Sequence, residues 1–184
     1  MSASGLDGRR AIGERNERAI LDAAVRVLAD RPEAGVAQVA AEAGVGRATV
    51  YRHFPTRDDL LAALRTRAEA EFRAAVRAAE CEAADPETAL RRLVSTLADM
   101  GGRYRVLAAP DEAGRARQAA AVIRPLRVAV ERAQSEGVID RSLSSAWAVD
   151  ALLALLRASK GRLRAADRAD RVVDLLLDGA RPRA

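Results

Sequence analysis

Residues 43–54 read Ala-Gly-Val-Gly-Arg-Ala-Thr-Val-Tyr-Arg-His-Phe, and this stretch decides how the rest of the chain is interpreted. The run before it, residues 36–43, is apolar at helical spacing and predicts a short helix. Gly44 then stands where a left-handed helix cap is needed, a conformation that glycine adopts without steric cost. Val50 and Phe54 are four residues apart, on one face of a second short helix. The stretch therefore predicts two short helices joined by a tight glycine turn.

The second of these helices carries polar and basic side chains on the faces away from its apolar pair. A helix-turn-helix of this form places its second helix in the major groove of DNA. The formal net charge of +5 suits a polyanionic partner but does not establish one, because the basic excess is spread along the chain. The case for DNA therefore rests on the placement of Arg47, Thr49, Tyr51, Arg52 and His53.

Composition predicts an all-α protein of about nine helices. Aromatic residues make up only 3% of the 184 residues, and alternation typical of strands is missing. Ala, Leu, Arg and Glu dominate, and all four are good helix formers. We read residues 1–10 as a flexible arm. The expected helices span about residues 11–29, 36–43, 47–54, 57–84, 86–100, 103–108, 113–136 (interrupted or kinked at Pro125), a helix capped by Ser142 that includes residues 147–156, and 167–177.

Several helix ends carry capping signals. Thr56 is the expected N-cap of the fourth helix, with Asp59 at the capping-box position. Asp85 before a proline predicts the start of the fifth helix, and the pair 101–102, both glycine, predicts its end. A single cysteine, Cys81, allows no intramolecular disulfide, and no Cys/His cluster suggests a metal. With no apolar run of membrane-spanning length and no signal peptide, we expect a cytoplasmic protein without membrane contact.

The order of parts from Ile20 to Leu61 resembles the TetR/AcrR family of bacterial transcriptional regulators. A lone helix precedes the motif Ala-Gly-Val-x-Arg-x-Thr-x-Tyr-x-His-Phe, and a basic residue with two acids follows at a capped helix. The rest of the chain is similar in helix count and length, and its C-terminal half is most similar to the subgroup typified by SbtR. The resemblance implies a three-helix DNA-binding domain over residues 1–57 and a helical effector-binding and dimerisation domain over residues 58–184.

The resemblance also assigns roles within the motif. Arg47 would read guanine through its bidentate fork, while a methyl group of Ala48 or Thr49 would meet thymine. Arg57 matches a lysine common at the start of the next helix and would hold a phosphate. Gly35 and Gly46 replace hydroxyl residues usual in the family. The expected DNA-contacting set is Gly46, Arg47, Ala48, Thr49, Tyr51, Arg52, His53 and Arg57.

The C-terminal half offers a weaker set of candidates. Met100, Tyr104 and Trp147 are sparse large side chains among many Ala and Leu residues, and they are candidates for lining an effector cavity. Ordinary core packing is the alternative reading for all three. By resemblance, the last two helices would form the dimer surface.

These observations predict a homodimeric regulator that binds double-stranded DNA without a cofactor. We expect a repressor that a small-molecule effector releases from a palindromic operator. One alternative is a DNA-binding regulator of the same fold without a small-molecule ligand. Another is an all-helical enzyme, but the chain shows no nucleophile and orienting group around its one histidine, His53, so we expect no enzymatic activity.

Overall fold

The computed structural model describes residues 3–82, 85–107, 112–163 and 165–180, and this part of the chain is helical without strands. The all-α prediction is confirmed. Eight α-helices are described where about nine were expected, because the segment expected as a sixth helix is a single 3₁₀ turn. The elements are α1 (Ala3–Asp30), α2 (Val36–Ala43), α3 (Arg47–His53), α4 (Arg57–Glu82), α5 (Pro86–Arg103), the 3₁₀ turn η1 (Arg105–Leu107), α6 (Glu112–Ser135), α7 (Ser145–Ser159) and α8 (Ala165–Ala180).

The chain divides into two compact units. The N-terminal unit comprises residues 1–68 and 102–109, and the C-terminal unit comprises residues 69–101 and 110–184. The division falls within α4, whereas the sequence predicted a boundary after Arg57. The first turns of α4 belong with the N-terminal unit because Leu60 and Leu64 are buried. An ion pair of 2.6 Å between Arg67 and Asp22 also joins this part of α4 to α1.

The core of the N-terminal unit collects one apolar face from each of its helices. Helix α1 buries Ile20 and Leu28, and α2 buries Val39. The turn η1 contacts α1 although it is distant in sequence, and both Tyr104 and Leu107 are buried there. The N-terminal unit therefore includes a segment that the sequence analysis assigned to the other domain.

Helix α1 begins much earlier than expected. Residues 3–10 are helical, so the interpretation of residues 1–10 as a flexible arm is corrected for the part that the structure describes. Extending an existing helix adds a hydrogen bond for each residue fixed and avoids a new nucleation step, so a packed helix can propagate into a polar segment. An ion pair of 3.1 Å between Arg10 and Glu14, one turn apart, supports this extension.

The C-terminal unit packs α5, α6, α7, α8 and the end of α4 around one apolar core. Phe72, Leu90, Leu126, Leu152 and Leu177 each contribute a fully buried side chain from one of these five helices. In the apolar run 151–156 of α7, Leu152 is buried, Ala154 is exposed and the other residues are partly buried. The core thus takes one stripe from each helix.

Arg91 links α5 to α8 at the edge of this core. Its guanidinium donates to Glu87 at 2.8 Å and to Asp174 at 2.6 Å. The hydrogen bond to Glu87 raises the pKa of Arg91 above its ordinary value, and the bond to Asp174 adds to the effect. The pairing of two helices by one planar fork explains why this position suits arginine.

Two helix ends differ from the sequence prediction. Residues 101–102 lie in the last turn of α5, which ends one residue later at Arg103, because glycine weakens a helix without excluding it. Ser144, and not Ser142, caps α7 by accepting a hydrogen bond from the Trp147 amide at 3.4 Å. The loop before α7 is fixed by the buried carboxamide of Gln134, which donates to the carbonyl oxygen of Leu143 at 2.7 Å. Capping rules consider residues next to the helix end, so they do not predict this tertiary hydrogen bond.

Other local signals are confirmed. Asp85 accepts a hydrogen bond of 2.8 Å from the Thr88 amide and so caps α5. This backbone hydrogen bond lowers the pKa of the Asp85 carboxyl. Gly137, which follows α6, has a φ of 78°. In contrast, α6 continues past Pro125, so the predicted interruption of the helix at this residue is wrong, while a kink there stays a prediction.

Candidate nucleic-acid interface

The turn between α2 and α3 is built around Gly44. This residue adopts a φ of 66° and a ψ of 28°, the left-handed conformation predicted from the sequence. Its amide donates to the Ala41 carbonyl at 3.3 Å, and the Val45 amide donates to the Ala40 carbonyl at 3.1 Å. These two bonds are the Schellman pattern that satisfies the last carbonyls of a helix. The turn therefore fixes where α3 starts.

One face of α3 is anchored and the opposite face is free. Val50 and Phe54 are buried, as their spacing predicted. Gly46 is the N-cap, with a φ of −69° and a ψ of 147°, and its carbonyl accepts from the Thr49 amide at 2.9 Å. The buried pair sets the rotation of α3 about its axis, and that rotation decides which side chains face solvent.

The exposed face of α3 gathers four of the eight predicted DNA-contacting residues. Arg47, Ala48, Tyr51 and Arg52 are all exposed, and their spacing of one and four residues puts them side by side on a helix. Tyr51 is 51% exposed, although a large aromatic side chain is more often buried. Two guanidinium groups and a phenol on one short exposed face can donate hydrogen bonds to phosphates and base edges.

Thr49 and His53 lie at the margin of this face and are partly buried. The His53 ring stands 6.2 Å from the Phe54 ring, measured between centroids, with an angle of 40° between their planes. No group of His, Cys, Asp and Glu suited to a metal occurs among the residues that the structure describes. The sequence reading gave His53 a phosphate contact, and its position beside the exposed face is compatible with that prediction.

The helix after α3 begins with a reciprocal capping box. The Asp59 amide donates to the Thr56 hydroxyl at 3.1 Å, and the Thr56 amide donates to the Asp59 carboxylate at 3.0 Å. The predicted cap is therefore confirmed. This cap, together with the buried Phe54 before it, fixes the direction in which the chain leaves α3.

Arg57 makes contacts that the sequence reading missed. Its Nη1 donates to the carbonyl oxygen of Ala34 at 2.5 Å, and its Nη2 donates to the carbonyl oxygen of Pro32. Both acceptors lie in the loop between α1 and α2, more than twenty residues earlier in the chain. No spacing rule links such positions, which is why the sequence suggested only a phosphate contact.

The three candidates for an effector cavity lie in different surroundings. Met100 is partly buried against the core of the C-terminal unit. Tyr104 is buried in the N-terminal unit, where the Arg103 guanidinium lies 5.5 Å from its ring centroid. Trp147, in the first turn of α7, is 57% exposed. Their shared role in ligand binding stays a prediction, and the side chain of Cys81 lies outside the described residues.

Comparisons with known proteins agree with the geometry of this interface. The N-terminal domain that defines bacterial regulatory proteins of the tetR family matches residues 20–64. The HTH-type transcriptional repressor LfrR of Mycolicibacterium smegmatis is 48% identical over 88 residues, which are 48% of this chain and 47% of LfrR. The HTH-type transcriptional regulator NfxB of Pseudomonas aeruginosa is 38% identical over 79 residues, 43% of this chain and 42% of NfxB. These alignments span about half the length of the two curated relatives.

Solved structures extend the similarity to nearly the whole chain. The crystal structure of the TetR-like regulator LfrR from Mycobacterium smegmatis in complex with proflavine has a TM-score of 0.71 and 32% sequence identity to this chain. The match covers 92% of this chain and 98% of that one. No helix in the described part of the chain is long and apolar enough to cross a membrane. From its motif, its fold and these relatives, the chain belongs to the TetR family of bacterial regulatory proteins.

Proposed function

We propose that this protein is a sequence-specific, DNA-binding transcriptional repressor that a small molecule releases from its operator. The exposed face of α3 carries the proposal. Four neighbouring side chains on this face are exposed while the opposite face is locked into the core. A helix held in this way presents a fixed pattern of donors to the major groove.

Base recognition falls to the start of α3, since the N-terminal residues of a recognition helix reach the base edges. Arg47 would donate two parallel hydrogen bonds to guanine, and the methyl groups of Ala48 and Thr49 would contact thymine. Tyr51, Arg52 and His53 would hold phosphates, which fix the register of the protein on the duplex without reading sequence. The Gly46 amide at the start of the helix completes the set.

A homodimer would present two such helices to successive major grooves of a palindromic operator. The large apolar side chains exposed on the last two helices support this assembly. Trp147 on α7 is 57% exposed and Leu175 on α8 is 60% exposed. Exposed apolar side chains of this size are typical of protein interfaces.

The proposed effector is a small molecule that binds the helical C-terminal unit. The similarity to LfrR, whose structure was solved with proflavine, supports this choice of effector class. Release of DNA requires that the effector bind the operator-competent and incompetent states with different affinity. Met100 and Trp147 lie in this unit and remain our candidates for contact with it, whereas Tyr104, the third predicted residue, lies in the N-terminal unit.

Selection of bound duplexes from a random pool tests the proposal. We expect the purified protein to enrich a two-fold symmetric site, with half-sites about one helical turn apart. Repeating the selection with candidate metabolites should reveal one that abolishes enrichment. A protein that enriches no duplex even at low salt would refute DNA binding, and enrichment of an asymmetric single half-site would refute the dimeric arrangement.

A further inference from the structure

Arg57 joins the two ends of the helix-turn-helix. Its acceptors, the carbonyl oxygens of Pro32 and Ala34, lie just before α2, whereas Arg57 itself follows α3. The two hydrogen bonds therefore close a loop that contains both helices and the turn between them. Two donors on one rigid planar fork suit two neighbouring carbonyl oxygens, an arrangement that a lysine ammonium cannot reproduce with the same geometry.

The loop before α2 lacks a restraint that the two hydrogen bonds from Arg57 can supply. Gly35 is the N-cap of α2 and offers no side-chain cap, so the usual hydroxyl that would hold this end is missing. The Gly35 amide donates instead to the Gln38 side chain at 2.7 Å. A glycine at this point leaves the backbone freer than any other residue would. The two bonds from Arg57 act on the residues immediately before it and restrain them.

We propose that Arg57 is a positioning residue for DNA binding, which holds α2 and α3 in the arrangement that presents Arg47, and that it is not primarily a phosphate contact. The inference rests on the proposed DNA-binding function. Both Nη groups of Arg57 already donate charge-assisted hydrogen bonds to backbone carbonyl oxygens, so a phosphate would have to compete with these acceptors for the same donors. Binding then benefits because the recognition surface is ordered before it meets the duplex.

Conservative and non-conservative variants of the full chain separate the two roles. Arg57→Lys keeps the charge but loses the fork, and Arg57→Ala loses both. We expect both variants to weaken binding to the selected duplex by a similar factor, about tenfold, with the wild-type dependence of log Kobs on log[salt]. The matched controls are Arg52→Lys and Arg52→Ala on the exposed face of α3. There the lysine variant should lose less affinity than the alanine variant and keep the wild-type salt slope, because a point charge can still hold the phosphate, and the alanine variant should flatten the slope by about 0.9.

Hydrogen exchange of the free variants gives a readout that a phosphate contact would not affect. We expect amides of α2 and of residues 44–46 to exchange faster in Arg57→Lys than in wild type, and to be unchanged in Arg52→Lys. The proposal is overturned if Arg57→Lys binds as wild type, if Arg57→Ala flattens the salt slope by about 0.9, or if exchange is unaltered. Failure of the wild-type protein to bind any duplex would instead refute the proposed function. The exchange data would still test whether the hydrogen bonds of Arg57 hold α2 and the turn in place.

Discussion

Arg47 and Arg57 are two arginines of the N-terminal unit whose surroundings give them different roles. Arg47 is exposed at the first position of α3, where its guanidinium is available to a ligand. Arg57 is partly buried and already donates to two backbone carbonyls. In our proposal the same guanidinium chemistry therefore serves DNA recognition at Arg47 and internal order at Arg57, and the structural surroundings distinguish the two positions.

The free energy of binding should respond to Arg47 in a sequence-dependent way. Arg47→Ala should cost about 1–3 kcal/mol on the preferred operator and relax the base preference at one position of each half-site, because a bidentate contact to guanine is lost. Titration of matched and single-base-changed duplexes measures this. Arg52→Ala is the control, since loss of a phosphate contact should weaken all duplexes alike. An equal loss on all duplexes for Arg47→Ala would contradict its role as the reader of base sequence.

Asp85 predicts a pH dependence of stability. Hydrogen bonding from the Thr88 amide lowers the pKa of the Asp85 carboxyl below its ordinary value of 3.8. The folded state then binds fewer protons than the unfolded state, so this contribution is present above pH 3.8 and is lost as the pH falls through the lowered pKa. Urea midpoints between pH 7 and pH 3 should decline more for wild type than for Asp85→Asn, which does not titrate. Parallel curves would contradict the assignment.

At the scale of elements, the ends of the helices carry most of the local information. Gly44 ends α2 in the left-handed conformation, and the Thr56–Asp59 box starts α4. Each of these depends on residues within a few positions, which is why the sequence predicted them. The turn inside the helix-turn-helix and the start of the helix after it are therefore specified by short-range signals.

Substitution of Gly44 tests how much the turn contributes. Gly44→Ala should lower the free energy of unfolding by about 1–2 kcal/mol, since a φ of 66° is strained for a residue with a Cβ atom. The control is Gly46→Ser at the N-cap of α3, where φ is −69° and a hydroxyl should stabilise the helix by a few tenths of a kcal/mol. Chemical denaturation of both variants measures the difference. Equal stability of wild type and Gly44→Ala would contradict the role of the turn.

The features that the sequence did not predict depend on contacts between distant residues. Ser144 rather than Ser142 caps α7 after a loop held by buried Gln134. The acceptors of Arg57 are also remote in sequence. The all-α fold and the exposed face of α3 follow from periodicity, whereas these positions are decided by packing, which overrides local propensity.

At the scale of the whole molecule, the C-terminal unit combines a closed apolar core with large apolar side chains left exposed on α7 and α8. The buried stripe of α8 packs inward through residues such as Leu177, while Leu175 points to the opposite side of the helix. Leu175 is a large apolar side chain on a face of α8 that otherwise carries exposed charged residues, among them Asp170, Arg171, Asp174 and Asp178. In our proposal, another copy of the chain packs over Leu175.

A charge placed at Leu175 should separate the proposed dimer. Because Leu175 is 60% exposed, Leu175→Glu should leave the fold of a single chain intact and still disfavour association. Sedimentation should show a mass of one chain, and operator affinity should fall about tenfold or more as bivalent binding is lost. Ile12→Glu is the control, since Ile12 on α1 is 56% exposed and lies outside the proposed interface. A dimeric Leu175→Glu protein would place the interface elsewhere.

The turn η1 belongs to the N-terminal unit although α4 and α5 separate it from the rest of that unit in sequence. The turn η1 contacts α1, and the side chains of Tyr104 and Leu107 are buried there. A chimera that takes only the chain up to Ala68 would lack η1 and would expose the apolar surface of α1 that η1 covers. Transfer of the N-terminal unit to another ligand-binding domain therefore requires both of its chain segments, or a redesign of the uncovered side of α1 with polar residues.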